Sequence, residues 1–569
     1  LQQQVIYAEG CCKMPVVTLQ HRRLERLVGK GIDEILAMLP YIALDIEEEG
    51  SDYVKVEYNP NRPDFSTDYG IARALRGIMG IEVGLPRLNL IESCAATFNV
   101  DASVKAVRPY VVALLALDGR MDDEDLRQLI AMQEDLHMGI GRKRRKASIG
   151  LHDYDKVSGP FYYTTEGKNF KFIPLNSSTE MSMQEILEST DVGKVYEHIV
   201  KEHTCYPIIK DSEGKVLSFP PIINAELTRV TEHTRNMLVE VTATDLNAAN
   251  DALAVIAVTL SDMGFKVASV SIINYNGSTI TTPDTGSRRM NLPIDRLSLL
   301  GLDIGREEAV ECLKRSRLDA AVGVDGNSIE CVVPRYRIDI MHWIDLVEDV
   351  AIGYNISRFE PRYPRLKAMG SRHRTLKALD HARDVMVGLG MLEVMNFNLV
   401  SINVQYTMVG RSSDTALLVE ESKSREHEAL RDSLIPSLLN VLSSNVHEPY
   451  PQRLFEIGKV FKMAGNSIRE EWSIAAVLAH SNANYTEARS YLQALLHSLF
   501  GIGIDAVKTE PIDEPPYESG RAAGILFKDE MIGSIGEVSS NVLGNFRIRV
   551  PVSAFEVIIS RLYMRAELI

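Results

Sequence analysis

Alternating and helical patterns of apolar residues predict a short N-terminal α/β unit between about residues 14 and 95. Residues 53–58 alternate apolar and polar side chains as a half-buried strand does, and residues 59–64 end it with two prolines and two asparagines. Asp64 or Ser66 is then predicted to cap an amphipathic helix. A strand, a rigid turn and a capped helix are consistent with a docking surface. A purely structural connection between the strand and the helix is the alternative.

The pattern between about residues 96 and 275 predicts a domain of mixed strands and helices. Four consecutive acids at 122–125 stand where a helix macrodipole favours negative charge. Residues 206–219 predict a hairpin around a polar turn. A strand at 237–244, a helix capped by Asp245 and a strand at 265–273 together predict a crossover in an α/β layer.

The remaining chain divides into a small module and a large one. Residues 276–355 carry a helix, a strand and a second helix, which predicts a small α+β module. Residues 360–569 carry several strands with few helices between them, so we expect a mostly antiparallel sheet. Residues 1–13, ahead of Met14, lack the pattern of a secretion signal, and we interpret them as an upstream extension of the natural start.

Composition narrows the classes of function. A chain of 569 residues suggests about four domains. Its net charge of −15 argues against a basic surface that coats nucleic acid, so any such contact is local. The longest apolar runs are too short to cross a bilayer, which predicts no membrane span. Six scattered cysteines predict neither a disulfide framework nor a structural zinc site, and favour a reducing, cytoplasmic compartment.

A run of five cations at 142–146 is the main candidate for an RNA contact. Such a run can hold phosphates without reading sequence, although a solvated loop is an equally good interpretation. His152 lies close to it, beside Asp153 and Asp155, which suggests a general base. No serine or cysteine nucleophile stands in a recognisable elbow, which weakens that hypothesis.

Two further constellations suggest binding sites. Asp339 precedes a helix that carries Asp345, Glu348 and Asp349 on one face, and an all-carboxylate set suits Mg²⁺ above Ca²⁺ or Mn²⁺. An acidic helix face that is merely solvated is the alternative. Residues 219–226 contain two prolines followed by polar side chains, which suggests either a pocket for a small amino acid or a rigid strand exit. The sequence has neither a G-x-x-x-x-G-K-[ST] nor a G-x-G-x-x-G motif, so a nucleotide site is expected on a partner.

Taken in order, these segments resemble the beta subunits of phenylalanyl-tRNA synthetase of the archaeal and eukaryotic type. Six pieces carry the resemblance: MPVV at 14–17, NRPD at 61–64 with GIAR at 70–73, FPPIIN at 219–224, RIDI at 337–340 with DLVED at 345–349, LRDSLIP at 430–436, and RLFEIG at 453–458.

The resemblance implies that this chain is a multidomain α+β protein. It also implies that the synthetic site lies on a separate alpha subunit. The implied parts are an N-terminal B1-like domain (14–95), a B3/4-like editing domain (96–275), a B5-like domain (276–355) and an inactive class II synthetase-like module (360–569). The implied partners are the alpha subunit in an (αβ)₂ tetramer, tRNA(Phe), and ATP and phenylalanine held by the alpha subunit.

Site residues also follow from the resemblance. The family's magnesium ligands map onto Asp339, Asp345, Glu348 and Asp349. Hydrolysis of tyrosine wrongly attached to the tRNA is expected in a pocket of Ser218, Asn224, Glu226, Glu240 and Thr242. A stand-alone deacylase and a non-catalytic nucleic-acid-binding scaffold are the alternative functions.

Overall fold

The computed structural model describes residues 14–301, 304–324, 326–361, 363, 369–420, 422, 424–465 and 467–565. The predicted upstream extension, residues 1–13, lies outside them. Contacts divide the described chain into two compact units, one within residues 13–362 and one within residues 363–569. No helix in the described part of the chain is long and apolar enough to cross a bilayer.

The first domain is a three-stranded sheet covered by three helices. In chain order its elements are β1 (Val16–Gln20), α1 (His21–Val28), α2 (Ile32–Met38), β2 (Asp45–Glu49), β3 (Tyr53–Glu57) and α3 (Asp68–Ile78). The sheet order is β1-β3-β2 with both pairs antiparallel, so this domain is α+β and the predicted α/β class is wrong. Thr67, not Asp64 or Ser66, caps α3, because its hydroxyl accepts the amide of Gly70.

The second domain is built on one ten-stranded sheet. Its elements are β4 (Leu90–Val100), β5 (Tyr110–Leu117), α4 (Asp123–Met138), β6 (Ala147–Asp153), β7 (Phe161–Gly167), β8 (Lys171–Phe172), β9 (Met181–Ser182), α5 (Met183–Ser189), α6 (Asp191–Tyr196), β10 (Cys205–Lys210), β11 (Val216–Phe219), β12 (Ile223–Asn224), β13 (Met237–Ala243), α7 (Leu246–Asp262), β14 (Lys266–Ile273) and β15 (Thr279–Thr282). The sheet order is β12-β11-β10-β7-β4-β14-β5-β13-β6, with β15 on β14, while β8 and β9 pair separately. The sheet therefore extends beyond residues 96–275 on both sides.

The two ends of this sheet come together. Asn224 of β12 donates its side-chain amide to the carbonyl of Leu151 in β6, at 3.2 Å. The predicted crossover is confirmed. Strands β13 and β14 lie on either side of β5 and both run antiparallel to it, so they are parallel to each other, and α7 connects them. Closure of the sheet brings residues of β6, β11 and β13, which are distant in sequence, to one place.

The third domain is smaller than the second and follows it directly. Its elements are β16 (Ser287–Pro293), α8 (Arg306–Arg315), β17 (Asp319–Val322), β18 (Ser328–Pro334) and α9 (Trp343–Tyr354), with the antiparallel sheet order β16-β18-β17. The sequence pattern predicted β18 and both helices. It missed β16 and β17, which flank β18 and expose most of their side chains, so their apolar alternation is weak.

The C-terminal unit contains a seven-stranded sheet. Its elements are α10 (Arg374–Gly388), β19 (Leu392–Glu393), β20 (Leu399–Val400), β21 (Leu417–Leu418), β22 (Ala429–Leu430), α11 (Ile435–Ser444), β23 (Gln452–Ala464), β24 (Ser467–Ala479), α12 (Tyr485–Phe500), β25 (Val507–Pro511), β26 (Tyr517–Phe527), β27 (Glu530–Val538), α13 (Ser540–Asn545), β28 (Val552–Ile558) and α14 (Ile559–Arg565). The order β19-β23-β24-β28-β27-β26-β25 is antiparallel except at β19 and β23, which confirms the predicted sheet type.

Candidate active site

Three buried polar side chains meet where the second domain's sheet closes. Ser218 of β11, His152 of β6 and Glu240 of β13 are each at most 2% exposed. The Ser218 hydroxyl donates to Glu240 Oε1 at 3.1 Å, and His152 Nε2 lies 3.8 Å from the same oxygen. We refer to these three residues as the closure cluster.

The Thr228 hydroxyl is the hydrogen-bond partner of His152 Nδ1, and its orientation selects between the two tautomers of the ring. The Thr228 hydroxyl lies within 3.4 Å of the carbonyls of Leu217 and Ala225, and can donate to either. Its oxygen then accepts from His152 Nδ1, 2.9 Å away. In that tautomer His152 Nε2 is an acceptor that faces Glu240, so two acceptors face each other with no donor between them.

Within the described residues, His152 Nε2 and Glu240 Oε2 are both buried and have no hydrogen-bond partner. A buried acceptor left without a donor costs about 1–3 kcal/mol. Gly150 lies beside them and pairs with Glu240 across β6 and β13. A Cβ at Gly150 would lie 2.4 Å from Glu240 Oε1 and 2.7 Å from His152 Nε2. The two side chains thus pack directly against the Gly150 backbone, and the cluster has unmet hydrogen-bonding capacity for a group that donates.

Thr242, two residues beyond Glu240 on β13, is already engaged. Its hydroxyl lies 3.1 Å from the hydroxyl of Ser148 and accepts from Nε of Arg108 at 3.0 Å. Arg108 also donates to the Thr242 carbonyl, and burial lowers the pKa of its guanidinium to about 10. Thr242 therefore borders the closure cluster and fixes the backbone there.

Of the two remaining predicted pocket residues, Asn224 lies beside the closure cluster, opposite Ser218 across β11 and β12, and Glu226 does not. Asn224 joins the two ends of the sheet, as described above. Glu226 lies at the surface, where it accepts from the amide of Asn176 and from Arg229. The assignment of Glu226 is therefore corrected, because the chain turns outward after Asn224, whereas Asn224 borders the cluster with its side-chain amide already bonded.

The sequence predicted His152 as a general base beside Asp153 and Asp155, but the structure places a different carboxylate next to its ring. Asp153 and Asp155 bind other groups, the hydroxyl of Thr234 and the side-chain amide of Asn236. The carboxylate nearest to His152 is Glu240, 88 positions later in the chain. Adjacent residues on a strand point to opposite faces, which is the signal that could have excluded Asp153.

The four predicted magnesium ligands are divided between two environments. Arg337 donates to Asp339 at 2.7–3.2 Å and to the buried Asp349 at 2.8 Å. Asp345 instead accepts the amides of Met341 and His342, both at 2.7 Å, and Glu348 is exposed. Burial raises the pKa of Asp349, while the charge of Arg337 opposes this shift.

This arrangement does not fit a magnesium ion held by all four carboxylates. A guanidinium occupies the position between Asp339 and Asp349 that a cation would take. Within the described ranges, no group of three or more His, Cys, Asp or Glu side chains could hold a metal ion. The predicted four-ligand set is therefore not assembled here.

The NRPD and GIAR segments form a junction between domains. Arg62 binds Asp64 through two contacts of 2.9 Å, and Arg73 lies 3.4 Å from the same carboxylate. Arg73 also stacks over the ring of Tyr336, in the third domain, and pairs with Asp262 of α7. Although burial opposes it, the charges of these arginines lower the pKa of Asp64 to about 2. The motif thus forms a buried network of ion pairs at this domain junction.

The two segments singled out in the C-terminal unit pair with each other. The Arg431 guanidinium, from the LRDSLIP segment, donates to Glu456, from the RLFEIG segment, and to the carbonyl of Lys459. Asn396 satisfies both oxygens of Glu456 through its backbone and side-chain amides. Both charges are about 2% exposed, so this pair is a closed structural contact.

Comparison with known proteins first gives the class of protein. Three family models match successive parts of the chain: the B3/4 domain at residues 128–255, the tRNA synthetase B5 domain at 290–356, and the phenylalanyl tRNA synthetase beta chain CLM domain at 360–559. The fold and its domains are therefore those of a tRNA synthetase chain.

Individual relatives give the particular family. The phenylalanine–tRNA ligase beta subunit of Archaeoglobus fulgidus is 40% identical over 98% of this chain and 100% of its own length. That of Pyrococcus furiosus is 37% identical over 97% and 100%. An N-terminal fragment of the Pyrococcus horikoshii subunit matches in structure with a TM-score of 0.57 and 35% identity, over 60% of this chain and 99% of the fragment. The chain belongs to the phenylalanine–tRNA ligase beta subunits.

Proposed function

We propose that this chain supports the attachment of phenylalanine to tRNA(Phe) by an alpha subunit and hydrolyses Tyr-tRNA(Phe) at the closure cluster. ATP and phenylalanine bind the alpha subunit, and two copies of each chain form an (αβ)₂ complex in the cytoplasm. Family membership and the B3/4 match support this proposal. Hydrolysis adds water to the ester carbonyl and breaks its bond to the ribose oxygen, which releases tyrosine and intact tRNA.

One observation carries the editing proposal, namely the unpaired Glu240 and His152 acceptors beside Gly150. Tyrosine differs from phenylalanine by one hydroxyl, which can donate to Glu240. If the Thr228 hydroxyl rotates to donate to His152 Nδ1, His152 Nε2–H can donate to the phenol oxygen. Phenylalanine offers neither contact, and a site built to hydrogen-bond a hydroxyl rejects the ligand that lacks it.

Hydrolysis of Tyr-tRNA(Phe) by the complex tests this assignment. We expect Glu240→Gln to lower kcat/KM for Tyr-tRNA(Phe) by about 10- to 100-fold, which corresponds to the loss of one buried hydrogen bond of about 1–3 kcal/mol. Charging with phenylalanine stays unchanged because the synthetic site is on the alpha chain. Glu213→Gln, at an exposed carboxylate of the same domain, is the matched control. Unaltered hydrolysis by Glu240→Gln would reject the assignment.

The C-terminal unit is proposed to be an inactive class II synthetase-like module. Its Arg431 and Glu456 are committed to each other, and Arg453 contacts Glu487, so these groups are not free to hold a nucleotide. We expect phenylalanine-dependent exchange between ATP and pyrophosphate only when the alpha subunit is present. Exchange by the chain alone would contradict the proposal.

We propose that Mg²⁺ binds to two of the four predicted ligands. Asp345 and Glu348 are the two candidate ligands outside the Arg337 pair, and carboxylate oxygens suit Mg²⁺. We expect calorimetric titration of Mg²⁺ into the complex to lose its binding heat in Asp345→Asn/Glu348→Gln. The exposed pair Glu307→Gln/Glu311→Gln on α8 is the control, and equal heats in both variants would remove these ligands.

A further inference from the structure

The run of five cations forms a loop between α4 and β6, and two of its members are used within the fold. Arg144 pairs with Glu134 at 2.8 Å, and its guanidinium lies 4.4 Å from the centre of the Tyr196 ring. Lys146 pairs with Asp245 at 2.9 Å. We call residues 142–146 the cationic loop.

The other three cations of the loop point to solvent. Arg142, Lys143 and Arg145 are exposed, and none forms an ion pair with any residue that the structure describes. The chain as a whole carries a net charge of −15. Three adjacent unpaired cations on an acidic protein give a local site for an anion with several charges.

The backbone holds these cations in a fixed and unusual arrangement. Arg142, Lys143 and Arg144 have φ angles of 47°, 53° and 63°, the left-handed region that non-glycine residues adopt rarely. The turn is closed by the amide of Lys146, which donates to the carbonyl of Gly141 at 2.8 Å. Such a conformation persists where the surrounding contacts impose it, as the ion pairs of Arg144 and Lys146 do here.

Two arginines connect the cationic loop to the strands of the closure cluster. Arg108 donates to the carbonyl of Arg145 and to that of Thr242, two residues from Glu240. Arg144 donates to the carbonyl of Ile222 at 3.0 Å, in the turn that follows Ser218. The loop is therefore fixed to β13 and to the turn after β11, two of the three segments that supply the cluster.

We propose that Arg142, Lys143 and Arg145 bind the phosphates of the single-stranded 3′ end of the tRNA whose ester enters the closure cluster. This inference rests on the proposed editing function. An ester at the end of an RNA strand brings its own phosphates to the rim of the site that hydrolyses it. Cations placed there contribute affinity without reading the bases.

Binding of a fluorescent acceptor-stem minihelix ending in CCA to the full chain tests the loop directly. We expect Arg142→Gln/Lys143→Gln to raise Kd at least fivefold near 0.15 M salt. The slope of log K against log salt should fall by about 1.4, since each contact with a single strand contributes about 0.7. Lys105→Gln/Lys171→Gln, which removes two exposed lysines of the same domain, is the control. Equal Kd and slope in the two double variants would overturn the proposal.

Two further measurements separate this proposal from the editing assignment. With a Tyr-charged minihelix, the loop variant should raise KM and leave kcat near the wild-type value, whereas Glu240→Gln lowers kcat/KM and leaves minihelix affinity unchanged. If Glu240→Gln hydrolyses normally while the loop variant binds weakly, the cluster assignment fails and the loop proposal stands. If the loop variant loses affinity for the alpha subunit and not for the minihelix, its partner is an acidic protein surface and the RNA proposal fails. A thermal midpoint equal to that of the control shows that the fold is intact.

Discussion

Buried glutamates in the second domain and in the C-terminal unit are treated in opposite ways. Both oxygens of Glu456 are bonded, to Arg431 and to two donors of Asn396. Glu240 has one bonded oxygen and one with no partner among the described residues, and the histidine beside it is also unsatisfied. The same residue type at the same burial is therefore fully satisfied in one unit and partly unsatisfied in the other.

The difference shows why burial alone does not identify a site. Burying a charge is costly, and a fold that offsets the cost with its own donors has no hydrogen-bonding capacity left for a ligand. Glu556 follows the rule of Glu456: Ser433, Ser473 and the amide of Leu434 donate to its oxygens, while burial raises its pKa. Among these three glutamates, Glu240 alone combines burial with an unpaired oxygen, and it packs against a glycine.

The largest expected effect comes from breaking the buried ion pair between Arg431 and Glu456. Glu456→Ala leaves Arg431 buried without its counter-charge, which typically costs 3–5 kcal/mol, so we expect the free energy of unfolding of the C-terminal unit to fall by about 4 kcal/mol. Chemical denaturation followed by Trp472 fluorescence measures it. The double variant Arg431→Met/Glu456→Met should recover most of the loss, and a loss under 1 kcal/mol in the single variant would contradict the comparison.

Local contacts account for the parts of the fold that the sequence predicted. Asp245 caps α7 and the acids at 122–125 stand at the start of α4, both as predicted, since such features need only residues within one turn. The strands with strong apolar patterns were also predicted, including β13 and β14. The N-terminal sheet type was not, because strand pairing depends on contacts between distant segments.

The candidate site was predicted in part for the same reason. Ser218 and Glu240 meet only because the sheet closes through Asn224, and no sequence period reports such a closure. The helical spacing of Asp345, Glu348 and Asp349 was correct, but these residues cover an arc of about 100° on the helix. One edge of this arc is exposed at Glu348 and the other is buried against Arg337 at Asp349.

Two buried histidines of the second domain extend the comparison. Both ring nitrogens of His137 are bonded, Nε2 to the amide of Ile149 and Nδ1 to Glu134, whereas His152 has only one. Burial and the charge of Arg144 lower the pKa of His137 from 6.5 to about 4. The folded state therefore resists protonation where the unfolded state accepts it, and stability is lost as pH falls from 6.5 towards 4.

We expect His137 to lower the free energy of unfolding by about 3 kcal/mol between pH 6.5 and pH 4, since each pKa unit corresponds to about 1.36 kcal/mol. His137→Gln keeps an acceptor for Ile149 and removes the titration, so its free energy of unfolding should depend less steeply on pH between 6.5 and 4. His233→Gln, at an exposed histidine of the same domain, is the control. Identical pH profiles for wild type and His137→Gln would show that this group does not titrate as described.

The smallest change adds one methyl group beside the unsatisfied acceptors. A methyl group at Gly150 would lie 2.4 Å from Glu240 Oε1 and 2.7 Å from His152 Nε2, so Gly150→Ala should exclude the tyrosine hydroxyl. We expect hydrolysis of Tyr-tRNA(Phe) to fall about tenfold or more, and phenylalanine charging to stay unchanged. Gly167→Ala, on β7 with nothing within 4 Å of an added Cβ, is the matched control. Normal hydrolysis by Gly150→Ala would mean that the unpaired acceptors of Glu240 and His152 are not where the substrate binds, and the contrast with Glu456 would then describe stability alone.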